Sequence, residues 1–231
     1  MQVELEVHTT YRCDLHCAHC NRGVGLGIDH TPDMTLDQWR RCLAGVPPIV
    51  ALKRKVLSAR FTGGEPTLRN DLPAFADATL EAVPRAALGI FSNAATPRAR
   101  RILDDLWNRY GMRNMGGPKP AGQPEYEFST TMFLDPADTG LRRVEPCTWG
   151  SKCGSSVDAY GMTPCPIGGV IDGVRKLGVR TWDWNDLTMA RLMRLCAVCG
   201  NGLGEPPSSV TVFDVRGFRM TKSWKDAVER W

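Results

Sequence analysis

The sequence predicts an α/β fold, a partial (truncated) TIM-like (β/α) barrel with a smaller Cys-rich part behind it. Three observations carry that prediction. Strand-like and helix-like segments alternate through the first two-thirds of the chain, and residues able to do chemistry follow the strand-like runs. From about residue 134 the composition turns to Pro, Gly and Cys. Regular alternation of this kind implies parallel strands joined by right-handed crossovers. The expected division is a barrel core over 1–133 and a second unit over 134–231.

Residues 2–9 alternate polar and apolar side chains and read as the first strand. In TLDQ, Thr35 and Gln38 form a capping box that opens a helix ending at Gly45, with prolines behind it. KVLSARFT (55–62) is the second strand and runs into GGEP. DLPAFADATLEAV is the second helix, and AALGIFSNA (86–94) the third strand. Thr96 caps a third helix with Pro97 in its first turn. YEFSTTMF (126–133) is expected as a fourth strand. Further on, WNDLTMARLMRLC is helical, SVTVFDVRGF a strand and SWKDAVERW a short terminal helix. Cys42 recurs with Leu36, Trp39 and Val46 at helical spacing, which makes it a core residue.

The chain has 231 residues, 42% hydrophobic and 23% charged, an ordinary soluble globular composition. No stretch has the length of a membrane span. MQVELEVHTT has neither the basic nor the apolar region of a signal peptide, so the chain is expected in the cytoplasm. Nine cysteines there point to metal binding or catalysis rather than to disulfides. The net charge of +4 is too weak to imply nucleic acid. Basic residues are scattered, at 40–41, 53–55, 98–100 and 142–143, and read first as solvated helix faces and second as a hint of an anionic substrate.

Cys13, Cys17 and Cys20 form C-x3-C-x2-C within eight residues after the first strand. A structural zinc site wants four ligands. Three thiolates on a cubane [4Fe–4S] cluster leave one iron free, and a ligand with an amine and a carboxylate could chelate it. GGEP (Gly63, Gly64, Glu65, Pro66) follows the second strand and Ser92-Asn93 the third, so all three features fall on the C-terminal rim, where such folds do chemistry.

The cysteine triplet and GGEP together closely resemble the radical S-adenosylmethionine (radical SAM) enzymes, over roughly residues 1–133. The resemblance implies a [4Fe–4S] cluster whose unique iron binds the amine and carboxylate of SAM. One electron then cleaves SAM to methionine and a 5′-deoxyadenosyl radical, which takes a hydrogen atom from the substrate. It also implies an electron donor such as flavodoxin or ferredoxin, and an enzyme of oxidoreductase or isomerase type. Gly63 and Gly64 would let the backbone approach the methionyl amine, with Glu65 adding charge and Pro66 completing the motif. Ser92 and Asn93 would hydrogen-bond ribose or carboxylate, or else form an ordinary turn. His19 stands where the family usually has an aromatic residue near the adenine. His16 and His19 could instead join the cysteines round zinc, but GGEP would then go unexplained.

Five further cysteines, 147, 153, 165, 196 and 199, lie in the last third. They resemble the short Twitch (SPASM-like) auxiliary-cluster module of many radical SAM enzymes. On that likeness Cys147 and Cys165 flank a β-hairpin with Gly161 at its turn, and Cys196 and Cys199 close a second [4Fe–4S] site. Cys153 is an alternative to Cys147. The spare thiol is either a hydrogen-atom donor, as in radical epimerases, or an inert buried residue. A zinc-binding tail is the competing account of this set.

No catalytic residue is fixed by sequence. Cys153 is a candidate for hydrogen transfer, and Asp158, Tyr160 and Asp29 are candidates for the base, although residues at those three positions are more often ordinary turn or surface residues. No peptide-recognition domain precedes the first strand, so a small anionic or nucleotide-like substrate is expected first. Dehydrogenation and radical rearrangement both remain open. A peptide substrate, epimerised or cross-linked, is the alternative, and a non-catalytic zinc-binding module is the competing class.

Overall fold

In the computed structural model the described residues are 2–17, 20–26, 32–46, 56–117, 132–141, 147, 154–201, 203 and 206–230. The strands of the main sheet are β1 (Gln2–Thr10), β2 (Val56–Gly63), β3 (Ala87–Ile90), β4 (Arg113–Asn114), β5 (Ser155–Asp158) and β6 (Gly161–Thr163). They lie in the order β4-β3-β2-β1-β5-β6. All neighbours pair parallel except β5 with β6. A mixed α/β chain with this sheet is compatible with the expected partial barrel.

Side-chain alternation decides the two faces of the sheet. Register pairs Val3 with Leu57, Leu5 with Ala59 and Val7 with Phe61, so one face is apolar. Helices α1 (Leu36–Leu43), α2 (Leu72–Ala82) and α3 (Pro97–Tyr110) cover it. Trp39, Cys42, Leu43, Leu72, Phe75 and Leu106 join Leu5, Val7, Leu57, Ala59, Phe61 and Ile90 in one core. Each large side chain fully buried there contributes about 1.5–3 kcal/mol. Thr35 and Gln38 form the expected capping box of α1. The Trp39 indole donates to Thr79 Oγ1 at 3.1 Å and to the Phe75 carbonyl, which ties α1 to α2.

The opposite face carries Glu4, Glu6 and His8 from β1 beside Ser58, Arg60 and Thr62 from β2. Charges buried on such a face must be paired. Glu4 meets Arg60 and Glu6 meets Arg22, each at 2.5 Å. β5 lies against the side of β1 away from β2, so the C-terminal part completes this face with Ser156 and Asp158.

A second core lies behind it. Here α5 (Gly168–Arg175), α6 (Met189–Cys196), the hairpin β7 (Phe213–Val215) and β8 (Phe218–Met220), and α7 (Lys222–Glu229) pack near the short turn of helix α4 (Pro136–Thr139). Phe218 and Trp224 meet the Phe133 ring edge-on, at centroid distances of 5.3 and 5.1 Å.

Several elements differ from expectation. The third strand ends at Ile90, not at residue 94, because residues 92 and 93 are drawn to the Glu65 carboxylate. β4, after α3, is too short to leave a pattern in sequence. Of the expected fourth strand, 126–131 lies outside the described residues, and Met132 and Phe133 sit in a turn. SVTVFDVRGF is not one strand. Arg216 and Gly217 both take positive φ (53° and 79°), the geometry of a tight hairpin turn, and β7 folds back on β8. The β5–β6 turn falls on Ala159-Tyr160, and Gly161 opens β6. Among the described residues no helix is long and apolar enough to cross a membrane.

Candidate functional site

The cysteine loop leaves β1 through a local irregularity in its pairing with β2, between His8 and Thr10. Such bulges re-aim a strand end. Asp33 holds the loop's first turn. It accepts from Thr10 Oγ1 at 2.6 Å and from Arg12 Nη2 at 2.5 Å. The backbone N–H of Leu15 donates to Cys13 Sγ at 3.5 Å.

The glycines of GGEP lie against this loop. Gly64 N–H donates to the Thr10 carbonyl, and Glu65 N–H to the Arg12 carbonyl, both at 2.8 Å. A Cβ at Gly63 would stand 1.8 Å from the Thr10 oxygen, and one at Gly64 2.1 Å from the Arg12 oxygen. Gly63 also has φ 139°, which side-chain-bearing residues rarely adopt. No side chain fits at either position unless the cysteine loop moves. Gly64→Ala is expected to cost about 3 kcal/mol of stability, read from urea unfolding.

Glu65 is fully buried, and its carboxylate joins two strand ends. Oε1 accepts from Thr67 N–H and Thr67 Oγ1, and from Ser92 Oγ at 2.8 Å. Oε2 accepts from Asn93 N–H at 2.7 Å. Asn93 Nδ2 then donates to Asp14 Oδ1 at 2.7 Å, beside Cys13. GGEP, Ser92-Asn93 and the cysteine loop are thus one hydrogen-bonded unit. Pro66 opens the single turn of 3-10 helix that follows Glu65.

One cavity of about 440 Å³ brings these features together. Cys13, Cys17, Cys20, Gly63, Gly64, Ser92 and Asn93 all line it, while Glu65 and Pro66 stand behind the wall. Glu6, Arg22, Thr62 and Gly116 also line it. Among the described residues no three donor side chains converge on one point, as they would round a single metal ion. The three thiols are spread instead over the wall of a cavity. Burial pushes the Cys13 thiol up to about 12 and the Cys20 thiol upward as well, so a metal there displaces a proton from each. The donor set and the glycine cradle fit a three-thiolate cluster with a ligand seated on its open corner. Such a group supplies one-electron chemistry that the side chains lack.

His8 on the inner face is buried, and its Nδ1 has no hydrogen-bond partner. Burial, with the Arg22 and Arg180 cations near, holds it well below the usual histidine range. The unfolded chain binds a proton near pH 6.5, where folded His8 does not. Stability is therefore expected to fall below about pH 6.5, by up to ~1.4 kcal/mol per pH unit for this group. Urea unfolding at pH 7 and pH 5 reads it, and His8→Gln flattens the difference.

Cys147, Cys165, Cys196 and Cys199 line a second cavity of about 530 Å³, walled by Ile167, Ile171, Leu192 and Leu195. Burial, then the neighbouring Cys199, Cys147 and Cys196, pushes the Cys165 thiol upward. Cys165 follows the β5–β6 hairpin, and its carbonyl accepts from Ser156 Oγ and Thr163 Oγ1. Cys196 ends α6, and Cys199 lies just beyond it. Asn201 Nδ2 reaches Cys147 Sγ at 3.6 Å. Four thiols round one apolar cavity are a donor set that fits a fully ligated cluster.

The remaining candidates lie elsewhere. Asp158 accepts from Tyr11 Oη at 3.1 Å and Arg180 Nη2 at 2.8 Å, and Tyr160 is exposed with the Arg180 guanidinium over its ring. Neither lines the first cavity. His19, Asp29 and Cys153 lie outside the described residues. Exposed His16 does not line the cavity, and Cys42 is buried in the first core. Sequence reasoning missed Glu6, Arg22 and Gly116. For Glu6 the signal was present, because the polar positions of a β1 buried on both faces must line something polar.

No protein-family model matches this chain. Over 88 residues it is 39% identical to a protein named PqqA peptide cyclase from Xanthomonas campestris pv. campestris. Over 97 residues it is 34% identical to a protein of the same name from Bradyrhizobium diazoefficiens. These matches cover 38% and 42% of this chain but 20% and 22% of the relatives, so the chain matches about a fifth of their length. The relatives support the resemblance to radical SAM enzymes that the cysteine loop and GGEP carry.

Proposed function

We propose that this chain is a radical SAM enzyme that modifies a peptide. The observation that carries the reading is the cavity in which Cys13, Cys17, Cys20, Gly63, Gly64, Ser92 and Asn93 meet. The three cysteines would hold a [4Fe–4S] cluster, and SAM bound on it would supply a carbon radical able to abstract hydrogen. The carbonyls of Gly63 and Gly64 would accept from the methionyl amine, which needs the close approach that a Cβ would block. Asn93, fixed by Asp14, and Ser92, fixed by Glu65, would face the polar part of SAM. Glu65 would act through them, since both its oxygens are already taken by the protein.

The peptide substrate is taken from the relatives' name, and it displaces the small anionic metabolite as first choice. The four-thiol cavity supports a second [4Fe–4S] cluster on Cys147, Cys165, Cys196 and Cys199, in a C-terminal unit over 134–231. Replacing Cys196 and Cys199 with alanine is expected to remove about half the iron of a protein holding two clusters of four, while sparing some SAM cleavage. Elemental analysis reads it, and zinc in place of that iron refutes the second cluster.

The experiment for the substrate uses two deuterated sets, candidate peptides and small anionic metabolites. They are incubated with the reduced enzyme and SAM. Deuterium in 5′-deoxyadenosine from the peptide set is the expected result. Deuterium transferred only from small metabolites overturns the peptide reading.

A further inference from the structure

Arg22 reaches from the first cysteine loop to the second cysteine site. It stands two residues after Cys20, is 8% exposed, and lies against the inner face of β1. Nη2 donates to Glu6 Oε2 at 2.5 Å, and Nη1 donates to the carbonyl oxygen of Pro166 at 3.0 Å. Pro166 directly follows Cys165. His8 Nε2 reaches the same carbonyl at 3.1 Å. Arg22 Nη1 also lies 3.3 Å from His8 Nε2, so guanidinium, imidazole and the Pro166 carbonyl form one buried cluster.

The carbonyl of Cys165 is held separately, by Ser156 and Thr163. Successive carbonyls are therefore clamped from two directions, one from the hairpin and one from β1 and the cysteine loop. From Cys20 to Cys165 the connection runs through one guanidinium and one hydrogen bond.

We infer that Arg22 is a positioning residue that couples the two cysteine sites, fixing the Cys165-Pro166 segment to the Cys20 loop through a buried guanidinium whose charge is paired with Glu6. The inference deepens the two-cluster reading and rests on it for its redox consequence. A nearby cation favours the more negative, reduced state of a cluster. Its loss leaves Glu6 as an unpaired buried carboxylate on the wall of the first cavity and makes each cluster harder to reduce.

Two measurements separate the joint from the cluster reading. The first is amide hydrogen exchange on the full chain as purified. Arg22→Met is expected to raise exchange of residues 167–171 at least about tenfold, with α2 unchanged. Arg22→Lys, which cannot reach Glu6 and Pro166 as a fork, gives an intermediate rise and serves if the methionine variant does not fold. Unchanged exchange at 167–171 overturns the joint, whatever the sites bind.

The second is a redox titration, followed by electron paramagnetic resonance, of protein reconstituted anaerobically with iron and sulfide. Both midpoint potentials are expected to move negative in Arg22→Met and to return toward wild type in Arg22→Lys. A shift confined to one cluster refutes the coupling. The wild-type iron count tests the cluster reading by itself. A count near four removes the second cluster and leaves the exchange result to decide the joint.

Discussion

Replacing Cys13, Cys17 and Cys20 together with alanine is expected to abolish 5′-deoxyadenosine formation and to lower bound iron from about eight to about four per chain. The loop offers three thiols to one cavity, and no other described cysteine lines it. Removing them takes away every sulfur ligand of the first site. The fold should survive. Cys13 and Cys20 are only partly buried, and trimming Cys17 leaves a small cavity worth about 1 kcal/mol. Retained far-ultraviolet circular dichroism and a cooperative melt would show that chemistry, not folding, was lost. Residual 5′-deoxyadenosine at more than about 1% of wild type would mean that the cluster is held elsewhere.

Glu65→Ala is expected to have the second largest effect, and to act on stability and SAM binding together. Its carboxylate takes four hydrogen bonds while fully buried. Truncation leaves the N–H groups of Thr67 and Asn93 without their acceptor, and each such group costs about 1–3 kcal/mol. A loss of about 3 kcal/mol in urea unfolding is expected. With its hold gone, the 92–94 turn relaxes. Ala94 there has φ 50°, a strained conformation for alanine that the surrounding bonds maintain. SAM binding should weaken by about an order of magnitude, or ~1.4 kcal/mol. Glu65→Gln keeps the size but turns an NH2 toward an existing donor, so about half the loss is expected. A Glu65→Ala variant that unfolds like wild type would remove the carboxylate from its linking role.

Much of this architecture was legible because short-range chemistry dictated it. The capping box at Thr35 and Gln38, the Thr96-Pro97 helix start and the apolar alternation of β2 each act within a few residues. The meeting of three motifs on one rim followed from strand order alone. What stayed hidden depended on partners far away in sequence. Ser92 and Asn93 leave the sheet because of a carboxylate 27 and 28 residues earlier. Arg22 meets a carbonyl 144 residues on, which no window of sequence reports. β5 joins β1 across most of the chain, so the Cys-rich part contributes a strand to the main sheet. Arg216-Gly217 was readable as a turn, yet the β-branched run before it outweighed that signal.

The proposed function requires an iron–sulfur cluster held at Cys13, Cys17 and Cys20 with one corner open to SAM. The direct measurement is the electron paramagnetic resonance spectrum of the reduced Cys196→Ala/Cys199→Ala protein, taken with and without SAM. With the second site removed, a single reduced-cluster signal is expected, and SAM should change its g-values. A signal that SAM leaves unaltered, in protein holding its full four irons, would contradict the open corner and the function built on it.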